Sequence, residues 1–272
     1  MYVSCSLLCC RKAEYPTVAE ALAKVRLLGF GAIDLDAFET WQHVRPSELA
    51  AGGEAAVAEL AGTLAASGLK VGSFNCGMSV PVTAEGDEAF GQYRREFLAL
   101  LDLARRVGCG NLTVQPGGPQ EGRDGEEVMR LVAGRLAELC GAAGREGVSV
   151  GIEAHHGSLL EAPEAALRMV GELCPAAGLT YDPSHFAMQE IALPETAALL
   201  DRAVHVHVRN AGPGRMQETM AAGTVDFHWL IGALRARGYD GPVAIEYFSG
   251  FDADFASTRA LRDRLRELGV EG

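Results

Sequence analysis

The chain is short of basic residues: 24 lysines and arginines stand against 36 aspartates and glutamates among 272 residues, a formal charge of −12 at pH 7. Proteins that grip nucleic-acid backbones draw most of their affinity from clustered Lys and Arg, so this balance argues against a nucleic-acid partner. No apolar run approaches the ~20 residues of a membrane-spanning helix, and no membrane partner is expected. The opening stretch MYVSCSLLCCRKAEY has no basic segment ahead of its short apolar part and reads as a first strand, not a secretory signal. The seven cysteines are odd in number, scattered, and mostly inside apolar segments (Cys5, Cys140, Cys174). That usage suits a reducing compartment, and a cytoplasmic location is expected. Cys9 and Cys10 are adjacent without a CxxC partner and read as packing, not zinc ligands. No GxGxxG follows the first strand, and the Gly-rich segment 115–125 lacks the GK[ST] of a phosphate loop and reads as a flexible entry to a helix.

What is present is alternation. Runs rich in branched apolar residues at 2–9, 32–36, 70–75, 111–115, 149–153, 178–182, 203–208 and 242–247 read as eight strands. Between and after them, amphipathic stretches at 17–28, 54–66, 90–107, 126–145, 163–173, 194–202, 228–237 and 256–268 read as helices. Gly29, Gly68, Gly108, Gly147 and Gly238 stand where helix stops belong. Eight strand–helix units, no low-complexity linker and 48% apolar residues predict one α/β domain over 1–272, a single (β/α)8 TIM barrel. A doubly wound open sheet is the structural rival, since closure follows only from the count.

Successive side chains of a strand point to opposite faces. In 203–209, Val204, Val206 and Val208 share one face and His205, His207 and Arg209 the other. The same parity turns Ile152, Tyr181 and Ile245 outward and Glu153, Asp182 and Glu246 inward. Four potential metal ligands, Glu153, Asp182, His207 and Glu246, thus point into the barrel at the carboxyl ends of four consecutive strands, where barrel active sites lie. Three carboxylates and one imidazole suit one divalent ion, Mn²⁺, Mg²⁺ or Co²⁺, with Zn²⁺ also admitted. Without a cation the carboxylates would repel one another and their pKa values would rise.

With IEAHH at 152–156, GLTYDPSHF at 178–186, VHVHVR at 204–209, AGTVDF at 222–227 and AIEYF at 244–248, the chain resembles the sugar isomerase and epimerase superfamily with a xylose-isomerase-like barrel. The resemblance covers essentially the whole chain. Its ordered set Glu, Asp-x-x-His, His, Glu is specific to the superfamily and to no one substrate. It implies that Glu153, Asp182, His207 and Glu246 are metal ligands and that His185 sits beside the substrate. It further implies that Glu153 and Glu246 move protons in a metal-dependent isomerase or epimerase of a small ketose or keto acid, through a cis-enediolate. His185 or Arg215 would stabilise charge on the oxygens. Many relatives carry His-x-x-Asp after the seventh strand, whereas Asn210 stands here, and Arg215 lies in a loop of different length from the epimerases' arginine. Asp36 stands where relatives often place a Glu near the sugar; it could serve the sugar or cap its loop.

Several residues keep two readings. His155 has the parity of the pocket, His156 that of loop packing, and His205 lies one step below His207 as a core or ligand-orienting histidine. Arg209 either binds a substrate oxygen or phosphate, or pairs with an acidic residue of the mouth. Asn75 and Gln115 either bind sugar hydroxyls or form a structural polar layer. The segment 76–91 is a lid, a subunit contact or a mobile loop, and Trp41 either stacks on a sugar or covers the rim. The rival functions are a dehydratase of the inosose or dehydroshikimate kind, an abasic-site endonuclease, and a non-catalytic sugar-binding protein. The endonuclease reading needs extra histidines where Asn75 and Gln115 stand, and Asp226 beside His228 is an ordinary helix N-cap. The expected partner is a small sugar or polyol-like molecule; the resemblance also implies a homo-oligomer, for which the sequence carries no interface signal.

Overall fold

Short runs of branched and aromatic residues bounded by turn residues can bury one face under a helix while pairing at both edges. In the computed structural model, which describes residues 1–40 and 42–272, these runs are β1 (Tyr2–Ser6), β2 (Ala32–Phe38), β3 (Lys70–Gly77), β4 (Asn111–Val114), β5 (Ser149–Glu153), β6 (Gly178–Tyr181), β7 (Ala203–Val208) and β8 (Pro242–Ile245). Each pairs in parallel with the next, and β8 returns to β1 in the register Tyr2↔Pro242 to Cys5↔Ile245. The sheet is therefore a closed barrel, and the open-sheet alternative falls. Around it run α1 (Val18–Leu27), α2 (Pro46–Ser67), α3 (Asp87–Val107), α4 (Gly125–Arg145), α5 (Pro163–Arg168), α6 (Pro183–Ala187), α7 (Phe227–Ala236) and α8 (Ala256–Glu267). Trp41 lies outside the described residues. Among those described, no helix is long and apolar enough to cross a membrane.

Where element limits differ from expectation, a local hydrogen bond is the reason. The first strand stops at Ser6, whose Oγ accepts from Leu8 N at 3.2 Å and turns Leu7–Cys9 into a 3-10 helix. The expected helix at 54–66 begins already at Pro46 and bends at Gly53, where φ is 58° and ψ −146°. Asp182 accepts from Ser184 N at 2.8 Å and starts the short α6. The stretch 163–173 divides into α5 and a π turn, Met169–Leu173, and 194–202 forms the 3-10 helix Leu193–Arg202. Gly68 and Gly108 end α2 and α3 at φ 69°, a left-handed backbone that a side chain would strain.

Outward strand residues such as Ile33, Leu35, Phe74, Leu112, Ile152, Val206 and Ile245 are fully buried under the helices. The inward face is polar and pairs with itself. Ser4 Oγ donates to Asp34 Oδ1 at 2.7 Å, Asn111 Nδ2 to Ser73 Oγ at 2.8 Å, and Thr113 Oγ1 meets Thr180 Oγ1 at 2.8 Å. Such pairing offsets the cost of burying polar groups. Gly151 makes room for it, since a Cβ there would strike Thr180 Oγ1.

The loop after β3 is strapped down. Arg135 of α4 donates to the carbonyls of Val82 (2.7 Å), Ala84 (2.5 Å) and Gly86 (3.3 Å), Arg123 to that of Thr83 (3.1 Å), and Ser79 N donates to Glu96 (2.7 Å). In this fold the segment between β3 and α3 is a wall of the barrel held at its backbone from α3, α4 and the turn before α4.

Candidate active site

Strand parity delivers the site. Glu153 ends β5, Asp182 directly follows β6, His207 lies on β7 and Glu246 directly follows β8; all four are buried at the carboxyl-terminal mouth. His207 Nδ1 stands 3.1 Å from Glu153 Oε1 and 3.6 Å from Glu246 Oε1. His185 Nε2 stands 3.6 Å from Asp182 Oδ2 and 3.8 Å from Glu153 Oε1. Glu153, His207 and Glu246 each bring one donor atom within 4.8 Å of the others, as do Glu153, Asp182 and His185. Hard oxygens joined by one imidazole at this spacing fit a divalent cation.

Each carboxylate also has an oxygen committed to the protein. Asn75 Nδ2 donates to Glu246 Oε1 at 2.7 Å, and Gln115 Nε2 donates to Glu153 Oε2. The two amides thus hold the two glutamates, a role neither open reading had named. Arg209 is fully buried. It reaches Asp182 Oδ2 at 2.8 Å, Glu246 Oε2 at 2.7 Å and Ser184 Oγ at 2.9 Å, with Phe248 packed 5.3 Å from its guanidinium carbon. Of its two readings the structure places the ion pair.

The electrostatics are uneven. Burial would raise the Glu153 carboxyl, yet hydrogen bonds from His185 and His207 hold it well below the ordinary range. Burial raises Glu246, outweighing the attraction of His207 and Arg209. Burial and then the charge of Glu246 push Asp36 well above the carboxylate range. Asp36 Oδ2 accepts from Ser6 Oγ at 2.7 Å and Leu8 N at 3.0 Å. Its Oδ1 and the Oδ1 of Asn75 have no partner among the described residues, and the two residues are neighbours in register on β2 and β3.

His155 packs its ring 4.1 Å from that of His185, while His156 turns outward to Glu161 at 2.8 Å. His205 Nε2 lies 2.5 Å from Asp34 Oδ2, an inward acid that sequence reading passed over although Asp34 shares the parity of Asp36. Arg215 is not gathered with the cluster: its side chain is 73% exposed and pairs with Glu218 at 2.8 Å, so Arg209 is the arginine of the mouth. Asp226 caps α7 through Trp229 N at 2.9 Å. A cleft of about 490 Å³ opens between the loops after β1, β2 and β8, lined by Leu8, Arg11, Gln42 and Phe248 among others. A larger one of about 620 Å³, walled by Ser158, Pro163 and Gln189, contains no residue of the cluster.

The family described as xylose isomerase-like TIM barrel matches residues 22–268. A putative hydroxypyruvate isomerase of Streptomyces coelicolor is 31% identical over 173 residues, 59% of this chain; the match spans about three fifths (61%) of that relative's length. The structure of D-allulose 3-epimerase from Methylomonas sp. superposes with a TM-score of 0.77 at 18% identity, covering 98% of each chain. A xylose isomerase-like TIM barrel protein of Mycobacterium smegmatis in complex with magnesium superposes at 0.74, with 20% identity over 98% of this chain and 96% of the other. At such identities the two structures speak for the fold.

Proposed function

The chain belongs to the xylose isomerase-like TIM barrel family, and from that premise we propose that it is a metal-dependent isomerase or epimerase of a small ketose or keto acid. The observation that carries the reading is the convergence of Glu153 and Glu246, from β5 and from the end of β8, on one imidazole nitrogen at 3.1 and 3.6 Å. A divalent cation held by Glu153, Asp182, His207 and Glu246 would polarise a substrate carbonyl and acidify the adjacent C–H. Manganese, magnesium and cobalt suit this oxygen-rich set, and zinc also fits.

The proton work falls to the two glutamates. One, as the carboxylate, takes the proton beside the carbonyl and keeps it, and the other, as the carboxylic acid, gives its own proton to the opposite face of the resulting cis-enediolate in an epimerisation. Gln115 and Asn75 keep the carboxylates aimed, and Arg209 offsets the charge that three buried acids would otherwise accumulate. Asn75 Oδ1 is left to accept from a substrate hydroxyl, and Asp36 Oδ1, on a carboxyl that burial pushes toward its acid form, to donate to a substrate oxygen, which suits a sugar or polyol-like molecule. His185, buried beside Glu153 and Asp182, and His155, whose ring packs against it at a tilt of 46°, complete the substrate wall.

The test is product analysis of metal-reconstituted protein against ketoses, keto acids and inososes. Interconversion without loss of mass supports the reading; loss of water transfers the protein to the dehydratases. Glu246→Gln is expected to lower kcat by about 10²- to 10⁴-fold, and near-normal turnover would remove Glu246 from the chemistry.

A further inference from the structure

We propose that Asp34 is a positioning residue for His207: it receives the hydrogen bond of Nε2, so that Nδ1 keeps its lone pair toward Glu153 and Glu246. The inference rests on the metal-dependent reading above and concerns this chain's own machinery for it. An imidazole that ligates through one nitrogen must carry its proton on the other, and a buried N–H needs an acceptor. The carboxylate facing Nε2 is Asp34 Oδ2, at 3.6 Å, which a shift of a few tenths of an ångström closes to a hydrogen bond. Among the described residues His207 Nε2 is buried without a hydrogen-bond partner, and Asp34 Oδ2, which His205 Nε2 approaches to 2.5 Å, has a second lone pair for it.

Asp34 is itself fixed. Ser4 Oγ on β1 holds its Oδ1 at 2.7 Å, and His205 Nε2 on β7 lies 2.5 Å from its Oδ2. His205 in turn packs edge-on against His207, with centroids 4.7 Å apart and planes at 89°, so the ring plane of His207 is set from below. Asp34, His205 and His207 also have the spacing of a cation site. The 2.5 Å separation of Asp34 and His205 is nevertheless that of a hydrogen bond. Two donors on one tetrahedral zinc stand about 3.3 Å apart.

The experiment reads metal binding without substrate. Chelator-treated wild type and Asp34→Asn are titrated with Mn²⁺ or Zn²⁺ by calorimetry, the Co²⁺ derivatives are compared by visible absorption, and circular dichroism checks the fold. One ion per chain is expected in both, bound about 10- to 100-fold more weakly by the variant, with a displaced Co²⁺ band. Ser4→Ala, which frees Asp34 Oδ1, is expected to weaken binding in the same direction by less, and it decides the matter should Asp34→Asn fail to fold. Unchanged affinity in a folded variant overturns the proposal, as does a second ion present in wild type and lost in Asp34→Asn. A wild type that binds no divalent ion sinks the metal-dependent function as well, so the two failures are distinguishable.

Discussion

Asn210 shows what one atom decides. Where many relatives carry an acid, its Nδ2 donates to Thr219 O at 2.9 Å while its Oδ1 accepts from Ala211 N and Val225 N, both at 3.1 Å. An aspartate has no proton to give Thr219, so the amide suits this loop. Asp36 poses the converse question. Burial raises its carboxyl well above the ordinary range, so its contribution to stability is whole below the unfolded pKa, about 3.9, and is lost as pH rises toward the folded value. Asp36→Asn lacks that loss: its melting temperature relative to wild type is expected to climb as pH rises above about 4, the advantage growing by up to about 1.4 kcal/mol per pH unit. A flat difference in thermal melts would show that Asp36 is ionised in the fold. The direction of Glu153, Asp182, His207 and Glu246 was legible in sequence because alternation alone sets it. Their partners were not: that Asn75 meets Glu246, 171 residues on, and that Asp34 meets His205 depends on register across the closed ring.

At the scale of elements, helix stops were readable where a glycine ends the run, as at Gly68 and Gly108. A limit set by a side chain folding back, such as Ser6 on Leu8, was not, since the same residue also suits a strand end. The strap on the β3–α3 loop was equally hidden, because Arg135 reads as one more charge on an amphipathic helix. Its three carbonyl acceptors and the Phe90 ring 4.9 Å away make it the hub of that wall. Arg135→Ala is expected to destabilise the fold by about 1–3 kcal/mol and to speed amide exchange and proteolysis at 78–86 before elsewhere. Exchange rates there equal to wild type would show that the loop holds without the strap.

For the whole molecule, closure brings the last residues onto the first strand. Val3 N donates to Glu271 O at 2.6 Å and Glu271 N to Met1 O at 3.3 Å, along the edge of β1 opposite to β8, and Val270 is buried. Removing 270–272 is expected to lower the Tm by about 5 °C, from the burial of one valine and the lost pairing, as measured by scanning calorimetry; an unchanged Tm would mean that the start of β1 holds without this pairing. The ring also has a reading frame. Slipping any strand by one residue would turn its ligands under the helices and its aliphatic side chains into the mouth, whereas a connecting loop absorbs such a change in length. Length changes are thereby steered to the segments rimming the mouth, where the chain can lengthen or shorten while the inward cluster of acids and imidazoles keeps its geometry.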